Sequence, residues 1–303
     1  MKLTPVPKIT NINSDDFLNN YMKPCKPVIL EDFADPNSPA FTKWNYDYFK
    51  EIAGDILVNV YGNETQSHDK VASEPIAKTA FSDYLDLIAS KSTDHRLFLF
   101  NLLNIKPELK NDIQYKDITK GKILKWLPFV FFGGEGSVTR NHVDIDMSHV
   151  FMIQFQGIKK IWLFPWEQSD LLYKLPYNFH SVVNLKEADY EKYPGTEYLN
   201  GYEVIIKPGE TLYIPSGWWH YIQYETQGYS VSVRALPSSA LQKWRGFKNL
   251  FITRHFDNAM RIIFKEKWFH YKIKTAHERA EKAINEIHNH GFCEDENVDY
   301  FIF

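Results

Sequence analysis

His142 and Asp144 stand two residues apart in Asn141-His142-Val143-Asp144, just after the glycine-rich stretch GGEGSVT, and His220 closes the run PSGWWH further along the chain. On an extended strand residues i and i+2 project to one side, so His142 and Asp144 can converge on a point. A third ligand from a neighbouring strand would complete a face. Two imidazoles and a carboxylate on one face of an octahedron leave three positions open, the arrangement that suits non-haem Fe(II) oxygenases, whereas a structural zinc site fills every position with protein. With 11 histidines in the chain an H-x-D triplet alone is a weak signal, and a lone histidine beside tryptophan is more often a packed core residue. The surroundings strengthen it. Lys207-Pro208-Gly209-Glu210 turns the chain, residues 211–215 read as a strand, and Ser216-Gly217 lets Trp218, Trp219 and His220 approach a buried centre.

Such a triad needs a rigid β scaffold. From Phe129 onward the chain alternates short apolar runs with Gly and Pro, as in FVFFGGEG, HVFMIQFQGIKKIWLFP and YEVIIKPGETLYIPSGWWHYIQYE, with turns expected at Gln156-Gly157 and Pro208-Gly209. Strands so closely spaced predict an antiparallel sandwich or barrel rather than βαβ units. The first third reads as mixed α and β: a helix starting at Ser14, a strand in KPVILEDF (26–33), helices over 44–52 and 81–88, strands over 56–61 and 96–100. After Pro237, Ser238 and Ser239 can cap a helix running through Trp244, Phe247, Phe251 and Ile263, and a second helix carries Phe269, Ile273, Ala276, Ala280, Ala283 and Ile287 up to Gly291. The expected division is a catalytic unit over 1–240 and a helical appendage over 241–303.

Composition bounds what the site can be made of. Lys plus Arg number 35 against 38 Asp plus Glu, and 44% of the 303 residues are hydrophobic, which describes a globular chain with one large core or two small ones. Cys25 and Cys293 lie near opposite ends, so any metal must be held by His and carboxylate. No apolar run reaches the roughly 18 to 20 residues of a membrane span, and the first residues lack the apolar stretch of a signal peptide, so a cytoplasmic protein with no membrane partner is expected. The net charge of −3 argues against a globally basic nucleic-acid binder, yet residues 243–282 hold 11 Lys plus Arg and 4 Asp plus Glu. A solvated helix face is the plain reading of that stretch, and an anionic partner the other.

KPVILEDF, GGEGSVTRNHVDID, QFQGIKKIWLFPWEQSDLLY, ADYEKYPGTEYLNGYEVIIKPGETLYIPSGWWHYI and GYSVSVRAL together resemble the JmjC, cupin-like hydroxylases that depend on Fe(II) and 2-oxoglutarate. Within them the chain looks most like the asparaginyl hydroxylase that acts on hypoxia-inducible factor, densely over about residues 129–236. The resemblance implies a mainly β fold, a double-stranded β-helix of the jelly-roll type, with iron held by His142, Asp144 and His220. It also implies that Lys159 salt-bridges the distal carboxylate of 2-oxoglutarate with the Thr139 hydroxyl nearby. A dicarboxylate in an apolar barrel does need a buried cation. Lys159 shares strand parity with Ile161 and Leu163, and Lys160 shares it with Trp162 and Phe164; both faces are apolar, so the motif rather than periodicity favours Lys159.

Three departures from the family pattern stand out. Asp144 and Gln154 are separated by two extra residues, so the segment 145–149 is expected to bulge at the edge of the site. Phe98 takes the place of the family's tyrosine that contacts 2-oxoglutarate, and Phe100 and Leu102 replace polar peptide-binding positions. Arg234 replaces an asparagine near the iron, where it would act either as a cosubstrate contact or as a salt bridge at the barrel mouth.

The leading expectation is therefore a dioxygenase, an oxidoreductase that consumes 2-oxoglutarate and dioxygen, releases succinate and carbon dioxide, and hydroxylates an unactivated C–H bond. A protein side chain is the favoured substrate, with an RNA base or a small molecule as alternatives. The competing reading is a metal-binding cupin without turnover. Trp218, Trp219, Phe151 and Phe155 would wall the site or simply fill the core. Trp244, Phe247, Trp268 and Tyr271, interleaved with basic residues, would serve RNA, but helix periodicity accounts for them better. The expected partner is a second copy: a homodimer in which the second C-terminal helix packs on its mate, with Lys265, Lys267, Lys272 and Lys274 around the outside.

Overall fold

The computed structural model describes residues 1–63, 74–98 and 100–290. Its centre is a flattened barrel of strands Phe129–Gly133 (β1), Val138–His142 (β2), His149–Gln156 (β3), Lys159–Phe164 (β4), Asn200–Ile206 (β5), Thr211–Ile214 (β6), Trp219–Tyr224 (β7) and Gly228–Ala235 (β8). One sheet runs β5-β4-β7-β2 and the other β6-β3-β8-β1, with every neighbouring pair in these two sets antiparallel. Successive strands mostly cross from one sheet to the other, which is the winding of a double-stranded β-helix, as the sequence leads one to expect. The turns fall at Gly157 and Gly209, both at positive φ, where glycine carries no steric penalty.

Three apolar layers hold the barrel. Between the sheets, Ile161, Leu163, Val204, Ile206, Leu212 and Ile222 interdigitate almost without exposure. Burying each such side chain contributes about 1.5 to 3 kcal/mol. The first third of the chain covers the outside of the β6-β3-β8-β1 sheet, where Phe49 meets Phe132 at 5.3 Å and Phe17 meets Phe151 at 5.7 Å between ring centroids. That third also lengthens the sheet with Val28–Leu30 at one edge and Arg96–Leu97, Leu57–Tyr61 and Ala77–Ala80 at the other. Several boundaries differ from the sequence reading. Asn13, not Ser14, caps the first helix, accepting from the Asp16 N–H at 2.9 Å, the strand expected over 26–33 is Val28–Leu30, and within 96–100 the described residues pair at Arg96–Leu97.

The C-terminal appendage comprises a helix Ala240–Lys248, a wider turn Asn249–Thr253 and a helix Arg254–His290 broken at Lys265, whose φ of 47° is foreign to a helix. The break separates the two amphipathic stretches legible in the sequence; Gly291, the expected stop, lies outside the described residues. Across the break, buried Asp257 accepts from Lys272 Nζ at 3.0 Å and from Trp268 Nε1 at 2.8 Å. Lys272 is therefore not on the outside as expected, because the kink turns it inward onto a carboxylate. In the second stretch Phe269, Ile273, Ala276, Ala280 and Ile287 pack on Leu172, Leu175, Val183 and Trp219 of this same chain, which covers part of its apolar stripe.

Candidate metal centre

Strand β2 delivers His142 at its last residue, Asp144 follows two residues later, and β7 delivers His220 directly opposite His142 in the pairing register. One ligand atom from each of the three lies within 4.8 Å of the others. The ring centroids of His142 and His220 are 4.1 Å apart. Each imidazole turns Nδ1 to a backbone carbonyl, His142 to Arg140 O at 2.9 Å and His220 to Trp218 O at 3.1 Å. That contact makes Nδ1 the protonated nitrogen and leaves Nε2 as the lone-pair donor a metal requires. Burial pushes the His142 imidazole down to about 3 and lowers His220 as well, so both rings stay neutral, the state that binds metal.

Asp144 is held differently. Burial alone would raise its carboxyl, but Arg234 first, and then the two imidazoles, bring it well below the usual carboxylate range. Arg234 Nη2 donates to Asp144 Oδ1 at 3.2 Å, while Nη1 donates to Asp146 Oδ1 at 2.9 Å and Ser148 Oγ at 2.8 Å. The guanidinium thus ties the ligand carboxylate to the two-residue-longer segment after it, which folds as a tight turn closed by Met147 N–H to Asp144 O at 3.1 Å. Arg234 forms the salt bridge at the mouth, to Asp144 and Asp146. The C-terminal appendage braces the same turn: Asn249 Nδ2 donates to Ile145 O at 3.2 Å, and Gly246 lies so close to Asp146 that a Cβ would stand 2.4 Å from its carbonyl oxygen.

The triad opens on a cavity of about 160 Å³ between the sheets. Thr139, Ile222, Tyr224, Ser232 and Lys159 line it together with His142, Asp144 and His220. Thr139 and His142 are three residues apart and would face opposite ways on a regular strand. A bulge resolves this: Thr139 pairs with Ile222 and His142 with His220, so Arg140 and Asn141 together oppose Tyr221. Lys159, 1% exposed, donates from Nζ to Ser230 Oγ and stands 4.5 Å from the Tyr224 ring centroid. Among the described residues it has no carboxylate partner, and burial lowers its ammonium to about 7. Lys160 points the other way and pairs with Glu203 at 2.8 Å on the surface.

Some expected walls lie elsewhere. Trp219 alternates with His220 and so faces away from the cavity, where its Nε1 donates to Ser169 Oγ at 2.9 Å; Phe151 and Phe155 belong to the core beneath the N-terminal third. The aromatic walls are Phe98, Phe100, Phe129 and Phe131. Sequence reasoning also missed Arg96, Tyr224 and the serines of β8. Ser230, Ser232 and Arg234 alternate with valines in GYSVSVRA, a pattern usually read as polar outward, yet here the polar side faces the cavity. Ser232 Oγ and Arg96 Nε are buried there without a hydrogen-bond partner among the described residues. A neutral-imidazole pair with a carboxylate fits Fe(II), and a buried lysine with orphaned polar groups along the cavity fits a dicarboxylate beside it.

Fold and site together are those of a cupin-type domain with a candidate metal centre. The model of the cupin-like domain matches residues 14–235. The chain belongs to this family, in its JmjC group of Fe(II)- and 2-oxoglutarate-dependent oxygenases. It is 29% identical to JmjC domain-containing protein D of Dictyostelium discoideum, over 72% of this chain and 53% of that protein. It is 30% identical to lysine-specific demethylase JMJ30 of Arabidopsis thaliana, over 75% and 54%. With the human tRNA wybutosine-synthesizing protein 5 it shares 26% identity over 81% and 82%. The chain thus spans about half the length of the first two relatives. None of these three is named as an asparaginyl hydroxylase, so that finer resemblance rests on the sequence motifs alone. Among the described residues no helix is long and apolar enough to cross a membrane.

Proposed function

We propose that this protein is an Fe(II)- and 2-oxoglutarate-dependent dioxygenase that hydroxylates a protein side chain. One observation carries the reading: a His-Asp-His triad faces a cavity that also holds a buried lysine with no carboxylate partner among the described residues. His142, Asp144 and His220 would hold Fe(II), which when bound supplies the redox chemistry for attacking an unactivated C–H bond with dioxygen and 2-oxoglutarate. The protein's own work is positioning. Arg234 keeps Asp144 ionised and fixed, the two backbone carbonyls fix the imidazoles, Lys159 orients the cosubstrate from its far carboxylate, and the phenylalanine walls exclude water.

The relatives' names point to lysine demethylation and to a transfer-RNA modification, and the helical appendage bears on the choice. Trp268 and Lys272, two of the aromatic and basic groups that would favour RNA, are consumed in the buried clasp on Asp257. That supports a protein substrate over RNA. The reading is tested anaerobically: Fe(II) plus 2-oxoglutarate gives a weak visible charge-transfer band if the keto acid chelates the metal. A protein that binds Fe(II) without the band, and releases no succinate in air, is the metal-binding cupin without turnover instead. Mass spectrometry of lysate proteins and RNA for an enzyme-dependent gain of one oxygen then assigns the substrate class.

The proposed assembly is a homodimer, through the first helix and the kink rather than the second helix. Leu241, Trp244, Phe247, Phe251, Ile262 and Ile263 are each 44% to 76% exposed, and Trp244, Phe247 and Phe251 stack in a ladder at 5.6 and 4.9 Å. A symmetric copy can cover such a patch with the same patch. Sedimentation at micromolar concentration is expected to show a dimer that Phe251→Glu combined with Ile263→Glu converts to a monomer. Truncation after Ser239 removes the Asn249 brace and should impair turnover as well. A full-length protein that sediments as a monomer defeats the idea.

A further inference from the structure

The register of β2 and β7 sets His142 opposite His220, but Asp144 lies beyond the end of β2, on the turn that Met147 closes. Arg234 fixes its carboxylate, and the backbone beneath needs a hold of its own. Ser216 supplies one. Its Oγ donates to the Met147 carbonyl oxygen, and its backbone N–H donates to Nδ1 of His149 at 3.0 Å. The same Nδ1 accepts from the Tyr213 hydroxyl at 2.8 Å. Ser216, Met147 and His149 are all buried. The two turns also interlock sterically: Gly217 takes a positive φ, and a Cβ there would stand 3.0 Å from Cε of Met147.

The turn that holds Ser216 leads into β7. Trp218 N–H donates to Pro215 O at 3.3 Å to close it, and Trp218 O is the carbonyl that fixes Nδ1 of His220. Ser216 thus joins the segment carrying Asp144 to the segment orienting His220, with 69 positions of sequence between the bonded residues. His149 would otherwise be a costly residue to bury. A backbone N–H can only donate, so Nδ1 of His149 carries the lone pair and the proton sits on Nε2, which has no hydrogen-bond partner among the described residues. Burial pushes this imidazole down to about 3, so it stays neutral and Nδ1 stays an acceptor. No apolar side chain could accept from both Ser216 and Tyr213.

We infer that Ser216 and His149 are positioning residues for the metal centre: together they set the separation of Asp144 from His220, and with it how the three ligands close around one ion. This rests on the reading of the triad as an Fe(II) site and deepens it. Neither side chain lines the cavity, so both act through the two turns. Ligand groups bind a metal well only when the groups behind them fix their placement.

The test titrates the full chain with Mn(II), followed by calorimetry, and with Co(II), whose visible spectrum reports coordination geometry. Ser216→Ala and His149→Leu are each expected to weaken Mn(II) binding about 10- to 100-fold and to alter the Co(II) spectrum. His149→Asn, whose amide oxygen can take the place of Nδ1, is expected to restore both. Val204→Ala, in the barrel core, is the control for stability: it should lower the midpoint of thermal unfolding and leave Mn(II) affinity and the Co(II) spectrum as in the parent. If the Ser216 and His149 variants behave like Val204→Ala, the pair only stabilises the fold and the inference falls. Equal damage in His149→Asn and His149→Leu would make packing the cause and remove His149 from the role. Ser216→Ala keeps the backbone bond to His149 and so keeps the question answerable should His149→Leu not fold. Failure of the parent protein to bind either ion overturns the metal-centre reading itself, whereas normal binding by the parent and by the variants alike overturns only the roles of Ser216 and His149.

Discussion

Alanine in place of His142, Asp144 or His220 is expected to abolish 2-oxoglutarate turnover and to strip the metal while leaving the fold near intact. Each ligand is one of three, so its loss should exceed the about 10- to 100-fold fall in metal affinity that follows loss of an outer-sphere partner. The barrel has its own core in Ile161, Leu163, Val204 and Leu212, none of which touches the triad's role. Arg234 keeps Asp146 and Ser148 as partners in Asp144→Ala, so that variant does not strand a bare buried cation. Succinate release and metal content per chain are the measurements, with thermal unfolding as the control. Unchanged succinate production in any of the three would remove that residue from the site.

Lys159→Met is expected to raise the 2-oxoglutarate requirement by about two to three and a half orders of magnitude without removing iron. Leaving a buried carboxylate unpaired costs about 3 to 5 kcal/mol, and every 1.4 kcal/mol is about tenfold. Lys160→Met should do little, because its exposed pair with Glu203 contributes at most about 1 kcal/mol. If the Lys160 change were the damaging one, the strand register would be wrong by one residue. The same lysine predicts a pH dependence. With the cavity empty, burial holds its ammonium at about 7, and a bound carboxylate favours the charged form and raises it. Above about pH 7 binding must therefore take up a proton, so cosubstrate affinity declines as pH rises, by at most about tenfold per unit, and is flat just below. Titration in two buffers of different ionisation enthalpy would show the proton uptake, and Lys159→Met should abolish it.

Much of the barrel was legible because its strands are short, closely spaced and punctuated by Gly157 and Gly209, where only a turn fits. The proximity of His142 and Asp144 was legible for the same local reason, since i and i+2 share a side. Lys159 could not be told from Lys160 by pattern, as Ile161 and Leu163 on one side and Trp162 and Phe164 on the other are equally apolar in sequence. Only the closed barrel distinguishes them, leaving Lys160 half-exposed and Lys159 almost without solvent.

What the sequence by itself determined is whatever depends on neighbours along the chain: the strands, the turns, the ligand pair on β2 and the amphipathic stripes of the appendage. Tertiary structure decided the rest. The bulge at Arg140 and Asn141 exists only because β7 offers Tyr221 alone opposite them, and it is what turns Thr139 and His142 to one face. Arg96 reaches the cavity because Gly133, in a strand far along the chain, leaves space for Tyr224 beside it. The serines of β8 face inward because the interior there is polar, against the usual reading of alternation. The second C-terminal stripe finds part of its cover on the chain's own barrel because the break at Lys265 redirects it. In each case the deciding contact joins residues distant in sequence, and no local pattern encodes which surface a side chain will meet.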